Sequence, residues 1–217
     1  MNINPDAKVI LCYGDSNTYG RKPGKLPARY PSNIRWPGHL QKLLGEDYRV
    51  VEEGLRSRTT DIADPDEPHL NGKSHLYPSL KSHNPIDVFV LMLGTNDLKT
   101  KYNRSATEVA ASLSGLIDIV KANGTNSTGE IPEVMLISPI LIDHTAPGFD
   151  DGTGRYDEES AAKSAQLSSQ IKAAADRSSS NFFDASSVAR PGVDGKHMDH
   201  ESHMALARSL ARIIPDL

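Results

Sequence analysis

A serine, an aspartate and a histidine stand where this sequence could carry out nucleophilic chemistry. Ser16 ends the stretch VILCYGDS, in which an apolar run breaks abruptly into Gly-Asp-Ser. Asp194 and His197 lie three residues apart in VDGKH, near the other end of the chain. A serine hydroxyl becomes a useful nucleophile when an imidazole takes its proton and a carboxylate fixes the tautomer of that imidazole. These residue types therefore predict a nucleophile, Ser16, a general base, His197, and an orienting acid, Asp194.

Three groups could donate hydrogen bonds to the oxyanion that such an attack creates. They are the backbone N–H of Ser16, the backbone N–H of Gly54 in VVEEGLRS, and the side-chain amide of Asn96 in LGTND. An oxyanion is stabilised by donors that are aimed at it. The amide of Asn96 is a donor, whereas the neighbouring carboxylate of Asp97 is not when it is ionised.

Each of these residues also has an ordinary structural interpretation. Ser16 could cap a helix, Gly54 could occupy a turn, and Asn96 could form a turn at the end of a strand. The catalytic hypothesis depends on their occurring together, because each role requires the others.

The segment DHESH offers a metal-binding alternative through Asp199, His200 and His203. His200 and His203 could share one face of a helix, as ligands of metal sites do. However, the chain has no His-Glu-x-x-His pattern, and an exposed helix start rich in Asp, Glu and His is the commoner explanation. We predict no metal and no other cofactor. A metal-dependent hydrolase and a non-catalytic protein that binds acyl esters or sugars remain as alternatives.

Apolar runs and helical patterns alternate along the chain. The apolar runs begin at Lys8, Tyr48, Asp87, Glu133 and Asn181, and their continuous hydrophobicity is typical of strands buried on both faces. Helical patterns follow Pro37, Ser105, Asp157 and His200. The alternation predicts an α/β fold, a three-layer α/β/α sandwich with a five-stranded parallel sheet, as a single domain over residues 1–217.

A parallel sheet would bring the candidate residues to one edge. Ser16, Gly54 and Asn96 follow the first three predicted strands, and the carboxyl ends of parallel strands are where open α/β sheets bind ligands. Two long loops, 21–33 and 140–157, also follow strand ends. Loops of this length in a compact domain are often functional.

Composition excludes several classes of partner. The chain has 24 Lys and Arg against 28 Asp and Glu, a formal net charge of −4, so it lacks the basic surface of proteins that bind nucleic acid or anionic membranes. Its single cysteine, Cys12, cannot form an internal disulfide. The N-terminus has no basic segment followed by an apolar stretch, and no apolar run could cross a bilayer, so we predict a cytoplasmic protein.

Four blocks resemble those of the SGNH hydrolases, also called GDSL esterases and lipases. They are GDSN at 14–17, the glycine of EEGLRSRTT, GTND at 94–97 and DGKH at 194–197, in the order of that family and across nearly the whole chain. RWPGHL, LNG and LMLGTNDLK resemble more narrowly the bacterial branch of arylesterases, acyltransferases and carbohydrate acetyl esterases.

The resemblance implies specific properties. It implies an SGNH/flavodoxin-like fold, a triad of Ser16, Asp194 and His197, oxyanion donors at Ser16, Gly54 and Asn96, and no metal. It also implies short acetyl-type esters as substrates, acyl transfer to alcohols or peroxide beside hydrolysis, and a homo-oligomer, often an octamer, in which the insertion after the fourth strand shapes a neighbour's entrance. Asn17 departs from the pattern, because many relatives carry leucine there.

Overall fold

A computed structural model describes residues 2–24 and 28–217, in which strands and helices alternate. Residues 25–27, which belong to the predicted loop 21–33, lie outside the described residues. The strands are β1 (Lys8–Gly14), β2 (Tyr48–Gly54), β3 (Val88–Met92), β4 (Glu133–Ser138) and β5 (Asn181–Asp184). They form one sheet in the order β2-β1-β3-β4-β5, and every neighbouring pair is parallel.

The helices of the described chain cover both faces of this sheet. They are α1 (Ser16–Tyr19), α2 (Trp36–Leu44), α3 (Gly72–His83), α4 (Ala106–Asn123), α5 (Glu158–Arg177) and α6 (His200–Ile213). Strand β1 shows how the layers arise, because successive side chains of a strand point to opposite faces. Leu11 packs in the core under α3, α4 and α5, whereas Ile10 and Cys12 pack in the core under α2 and α6. The predicted three-layer sandwich is confirmed.

Helix boundaries follow local capping chemistry that the sequence contains. Ser105 caps α4, and Glu108 returns the bond to the N–H of Ser105, which completes a capping box. In α2 a proline occupies the first turn, and Gly45, with a φ of 73°, ends the helix. These start and stop signals explain why the predicted helices lie close to the observed ones.

Helix α3 is not among the helices that the sequence patterns predict. Pro78 lies inside it, and a proline normally disfavours a helix interior. Only Leu76 and Leu80, four residues apart, give it a buried apolar face beside Gly72. The side chain of Asn71 accepts the N–H of Ser74 at 3.2 Å and starts the helix. Tertiary burial of the two leucines therefore outweighs a weak local pattern.

No helix in the described part of the chain combines the length and the apolar character that crossing a lipid bilayer requires.

Candidate active site

Ser16 is the first residue of α1, directly after the carboxyl end of β1. Gly14 precedes it at a crowded point, where a Cβ would lie 2.0 Å from Thr18 Oγ1. Asp15 caps the short helix, since its carboxylate accepts the N–H of Asn17 at 2.9 Å. The Gly-Asp-Ser sequence thus allows the chain to turn sharply after β1. It leaves Ser16, which is 7% exposed, at the carboxyl ends of the strands.

Ser16, His197 and Asp194 form one line of hydrogen bonds. His197 Nε2 lies 3.0 Å from Ser16 Oγ, and His197 Nδ1 lies 2.8 Å from Asp194 Oδ2. The contact with Asp194 favours the tautomer in which Nδ1 carries the proton, so Nε2 is free to accept the hydroxyl proton of Ser16. The structure brings together the three residues that the sequence predicts as nucleophile, base and acid.

The turn that carries Asp194 and His197 is fixed by its own backbone. Asp194 Oδ1 accepts the N–H groups of Lys196 and His197 at 3.1 and 3.0 Å. Gly195 has a φ of 69°, and a Cβ there would lie 2.1 Å from the carbonyl oxygen of Asp143. Because a left-handed glycine is needed at this close approach, the spacing Asp-Gly-Lys-His places both side chains on one side of the turn.

Asp194 is buried, yet its environment favours the ionised form. Burial raises its pKa, but the hydrogen bond and charge of His197 and the N–H of Gly24, 2.9 Å from Oδ2, lower it by more. The net pKa of Asp194 lies well below its ordinary value. A carboxylate held in this way can stabilise the imidazolium that forms when His197 takes a proton.

His197 is favoured in its neutral form. Burial lowers its pKa, Asp194 opposes that effect, and the positive charges of Arg21 and Lys196 lower it again, so the net pKa falls below the usual imidazole value. Arg21 lies close, with one guanidinium nitrogen 3.2 Å from His197 Nδ1 and 3.9 Å from Asp194 Oδ2. At neutral pH the imidazole is therefore ready to act as a base.

Asn96 lies in the 3₁₀ turn Thr95–Leu98 after β3 and lines the same cavity as Ser16. Its Oδ1 accepts the hydroxyl of Tyr156 at 3.1 Å, and its Nδ2 donates to Asp15 Oδ2 at 3.2 Å. These two bonds define which end of the amide is the nitrogen. The second hydrogen on Nδ2 remains for a ligand.

The loop after β2 reaches the cavity through Ser57. A Cβ at Gly54 would lie 2.2 Å from the backbone nitrogen of Tyr19, so this glycine is needed for close packing against α1. Arg56 and Ser57 line the cavity, and Gly54 is not among its lining residues. Ser57 has a φ of 64°, and its N–H has no hydrogen-bond partner in the part of the chain that the structure describes. The structure therefore places Ser57 at the cavity, whereas Gly54, the oxyanion donor that the sequence predicts, does not line it.

The insertion after β4 closes one side of the cavity. The cavity measures about 340 Å³ and is lined by Ser16, His197 and Asp194. The insertion contributes Gly148, Asp151, Thr153, Arg155 and Tyr156. The loop Asp143–Tyr156 thus lines the active-site cavity of its own chain.

The side chain of Asn17 connects α1, which begins with Ser16, to the turn that carries His197. Its Nδ2 donates to the carbonyl oxygen of Lys196 at 3.1 Å, and its Oδ1 accepts the N–H of Met198 at 2.9 Å. These bonds bracket His197 on both sides. The departure from leucine at this position therefore adds a polar tie between α1 and the catalytic turn, and it leaves Asn17 outside the cavity lining.

Two residues of the metal-binding alternative, Asp199 and His203, make structural hydrogen bonds. Asp199 caps α6 by accepting the N–H of Ser202 at 2.8 Å. His203 is buried, and its Nδ1 accepts the N–H of Trp36 at 3.2 Å. Within residues 2–24 and 28–217 no group of three or more His, Cys, Asp or Glu side chains is placed to hold a metal ion. His200, on the first turn of α6, is exposed.

Comparison with known proteins agrees with this geometry. Residues 12–204 match the GDSL-like lipase/acylhydrolase family. The fold is similar to that of an aryl esterase from M. smegmatis, with 37% identity, a TM-score of 0.90, and coverage of 97% of this chain and 100% of that one. It is also similar to a carbohydrate acetylesterase from Sinorhizobium meliloti, with 34% identity, a TM-score of 0.89, and coverage of 96% and 99%. Comparison with curated protein sequences finds no significant match.

The family match covers most of the chain, and it includes the segments that carry Ser16, Asn96, Asp194 and His197. The chain therefore belongs to the GDSL-like lipase/acylhydrolase family, the SGNH hydrolases that its sequence blocks resemble, and it is a hydrolase of carboxylic esters.

Proposed function

We propose that this protein is a serine esterase that cleaves short-chain, acetyl-type esters of aryl alcohols or carbohydrates through an acyl-enzyme. The observation that carries the proposal is the continuous hydrogen-bonded line from Ser16 Oγ through His197 to Asp194, with distances of 3.0 and 2.8 Å. The similar aryl esterase and carbohydrate acetylesterase support the choice of esters.

The first step is attack by Ser16 on the ester carbonyl carbon. His197 Nε2 takes the hydroxyl proton as the Oγ–carbon bond forms, and Asp194 stabilises the resulting imidazolium. When the tetrahedral intermediate collapses, the bond from carbon to the alcohol oxygen breaks. The imidazolium returns its proton to that oxygen, the alcohol leaves, and the acyl group stays on Ser16.

The negative oxygen of the intermediate is held by donors from three strand ends. We assign this role to the N–H of Ser16 at the start of α1, the Nδ2 of Asn96 and the N–H of Ser57. Fixed donors stabilise the negative charge that develops on this oxygen, because they need no reorganisation during the reaction. The bonds of Asn96 to Tyr156 and Asp15 keep its amide in place.

A second nucleophile completes the cycle. Water, deprotonated by His197, attacks the acyl carbon. The bond from that carbon to Ser16 Oγ then breaks, the imidazolium returns its proton to Oγ, and the acid leaves. An alcohol or hydrogen peroxide that enters the cavity can take the acyl group by the same route, which gives acyltransferase or perhydrolase activity. The acceptor must compete with water for a cavity of about 340 Å³.

The test is release of 4-nitrophenol from 4-nitrophenyl esters of increasing acyl length by wild type and Ser16→Ala. We expect the acetate to react fastest, the activity to be lost in Ser16→Ala, and a chelator to have no effect. Ser186→Ala, which changes a serine after β5 that does not line the cavity, is the matched control and should retain wild-type rates. Full turnover by Ser16→Ala would disprove the mechanism.

Inhibition by chelator would instead favour the metal-dependent alternative. Binding of esters with no turnover would favour the non-catalytic one. Product analysis in the presence of an alcohol measures acyl transfer in the same assay.

Assembly and location remain predictions from the sequence. The resemblance predicts a homo-oligomer, such as an octamer, and the N-terminal sequence predicts a cytoplasmic protein. Light scattering of the purified protein measures the first, and fractionation of the native cells measures the second.

A further inference from the structure

The cavity in front of Ser16 carries more positive than negative side chains. Two carboxylates, Asp151 and Asp194, line it. The cationic side chains that line it are Arg21, Arg56, Lys99, Arg155 and Lys196. Like charges that line one cavity repel each other, and a ligand of opposite charge that enters the cavity reduces this repulsion.

Both carboxylates are already engaged. Asp194 bonds His197 and lies 3.9 Å from Arg21, and Asp151 Oδ2 lies 3.4 Å from the Nζ of Lys196. These pairs account for two of the cations. The remaining three, which we call the cationic wall, have no carboxylate within 4.0 Å in residues 2–24 and 28–217. The cationic wall consists of Arg56, Lys99 and Arg155.

Lys99 is the central member of the cationic wall. The residue is 4% exposed, but its ammonium group is not among the fully buried atoms and lies at the cavity. This group makes no hydrogen bond to any residue that the structure describes. Asp15, one of the two acids whose charge acts on Lys99, accepts hydrogen bonds from Asn17 and Asn96 instead. A lysine with so little exposed surface normally has an anionic partner, and a ligand in the cavity can provide one.

The electrostatics of Lys99 agree with an open position for an anion. Burial and the neighbouring Arg155 lower its pKa to about 8, while Glu67 and Asp15 oppose them. The group is still largely protonated at neutral pH. It follows Asn96 by three residues and lines the same cavity, so a ligand bound to Lys99 lies close to the proposed oxyanion site.

We propose that the cationic wall binds a carboxylate carried by the acyl or the alcohol part of the ester substrate. The inference rests on the proposed esterase function and narrows its substrate class to anionic esters. An ammonium group provides a point charge and the guanidinium groups can bind a carboxylate with two parallel hydrogen bonds, so the wall suits this group well.

The experiment compares matched neutral and anionic esters. In the acyl arm, 4-nitrophenyl acetate is compared with 4-nitrophenyl hydrogen succinate. In the alcohol arm, phenyl acetate is compared with 4-acetoxybenzoate. For each arm, the ratio of kcat/KM for the anionic ester to that for the neutral ester is measured in wild type, in Lys99→Met and in the control Lys172→Met, which removes an exposed charge from α5.

We expect this ratio to fall about tenfold in Lys99→Met in one of the two arms and to stay at the wild-type value in Lys172→Met. The arm that responds identifies the part of the substrate that carries the charge. Equal ratios for wild type and Lys99→Met in both arms would overturn the inference. If Lys99→Met does not fold, the exposed Arg155→Gln replaces it, with an expected fall of about threefold in the same ratio.

Binding to Ser16→Ala separates this inference from the proposed function. Calorimetry with intact 4-acetoxybenzoate and hydrogen succinate esters measures affinity without turnover. Lys99-dependent binding by Ser16→Ala, with no hydrolysis by wild type, would uphold the anion site and contradict the esterase. Hydrolysis by wild type, with an anion preference that Lys99→Met does not change, would uphold the esterase and contradict the anion site.

Discussion

The two walls of the active-site cavity differ in how their charges are satisfied. On the side of the catalytic turn, Asp194 has hydrogen-bond partners at both oxygens and His197 is bonded at both ring nitrogens. On the cationic wall, Lys99 is 4% exposed, and its ammonium group, which lies at the cavity, has no hydrogen-bonded partner in the described chain. The first side is complete without a ligand, whereas the second is not.

This difference distinguishes groups that position the catalytic base from groups that bind the substrate. A base works only if its tautomer and direction are fixed before substrate arrives, so partners on the protein are an advantage. A binding group that already has a partner on the protein must give it up to hold a ligand. Satisfied charges therefore mark the reacting groups here, and unsatisfied charges mark the place where the substrate supplies the partner.

Removal of the charge on Asp194 should reduce kcat more than removal of any oxyanion donor. Asp194→Asn keeps the shape but loses the carboxylate that favours the Nδ1–H tautomer of His197. We expect kcat to fall roughly 10⁴-fold, the size of effect known for the equivalent change in serine proteases. Rates on 4-nitrophenyl acetate measure it, with circular dichroism as the control for folding. A loss of less than tenfold in a folded variant would contradict the role of Asp194.

The oxyanion side should show the next largest effect. Asn96→Ala removes one donor and leaves the triad intact, so kcat should fall about 10²–10³-fold with little change in KM. Tyr156→Phe, which removes only the bond that orients Asn96, should show a smaller loss in the same assay. A rise in KM with constant kcat in Asn96→Ala would assign Asn96 to substrate binding instead of oxyanion stabilisation.

The contrast between the walls also explains what could be predicted from the sequence. The triad was predictable because Ser16 follows an apolar run and Asp194 and His197 share one short turn, so local patterns place them. The left-handed φ of Ser57 was not, since the segment has no glycine or asparagine at that position to indicate it. Gly54 was the more visible residue, and its actual requirement is close packing.

The sequence did not predict the cationic wall and α3 for a different reason. Lys99 and Arg155 are 56 residues apart in the sequence and meet only because the insertion after β4 folds over the cavity. Helix α3 depends on burial of Leu76 and Leu80 in a segment interrupted by Pro78. Both features arise from tertiary contacts, and local hydrophobic periodicity or residue spacing in the sequence does not predict such contacts.

Asn17 offers a way to loosen the catalytic side without touching the triad. Asn17→Leu, which introduces the residue many relatives carry, removes the bonds to Lys196 and Met198 and leaves buried backbone groups unpaired. We expect a loss of about 1–3 kcal/mol in the free energy of unfolding, measured by urea denaturation. Because the turn also gains freedom, kcat should fall by about tenfold. Wild-type stability and rate would show that the tie is dispensable.

The pH dependence of kcat/KM tests the protonation state of His197. The base must be neutral, and its pKa lies below the usual imidazole value, so activity should persist below pH ~6.5 and then fall about tenfold per unit of further acidification. Asp15 also titrates in the acid range, because burial raises its pKa to about 6. Asp15→Asn separates the two: an unchanged acid limb assigns it to His197, and its disappearance assigns it to Asp15.

The smallest effect should appear at alkaline pH on the cationic wall. Lys99, with a pKa of about 8, loses its charge as pH rises. The groups that act on Lys99 are Arg155 and Lys101, which lower its pKa, and Glu67 and Asp15, which raise it. The anionic-to-neutral ratio of kcat/KM should therefore decline a few-fold between pH 7 and pH 9 in wild type and stay flat in Lys99→Met. Taking the ratio cancels any common effect of pH on the triad, so a decline of equal size in both proteins would mean that the preference does not depend on the charge of Lys99.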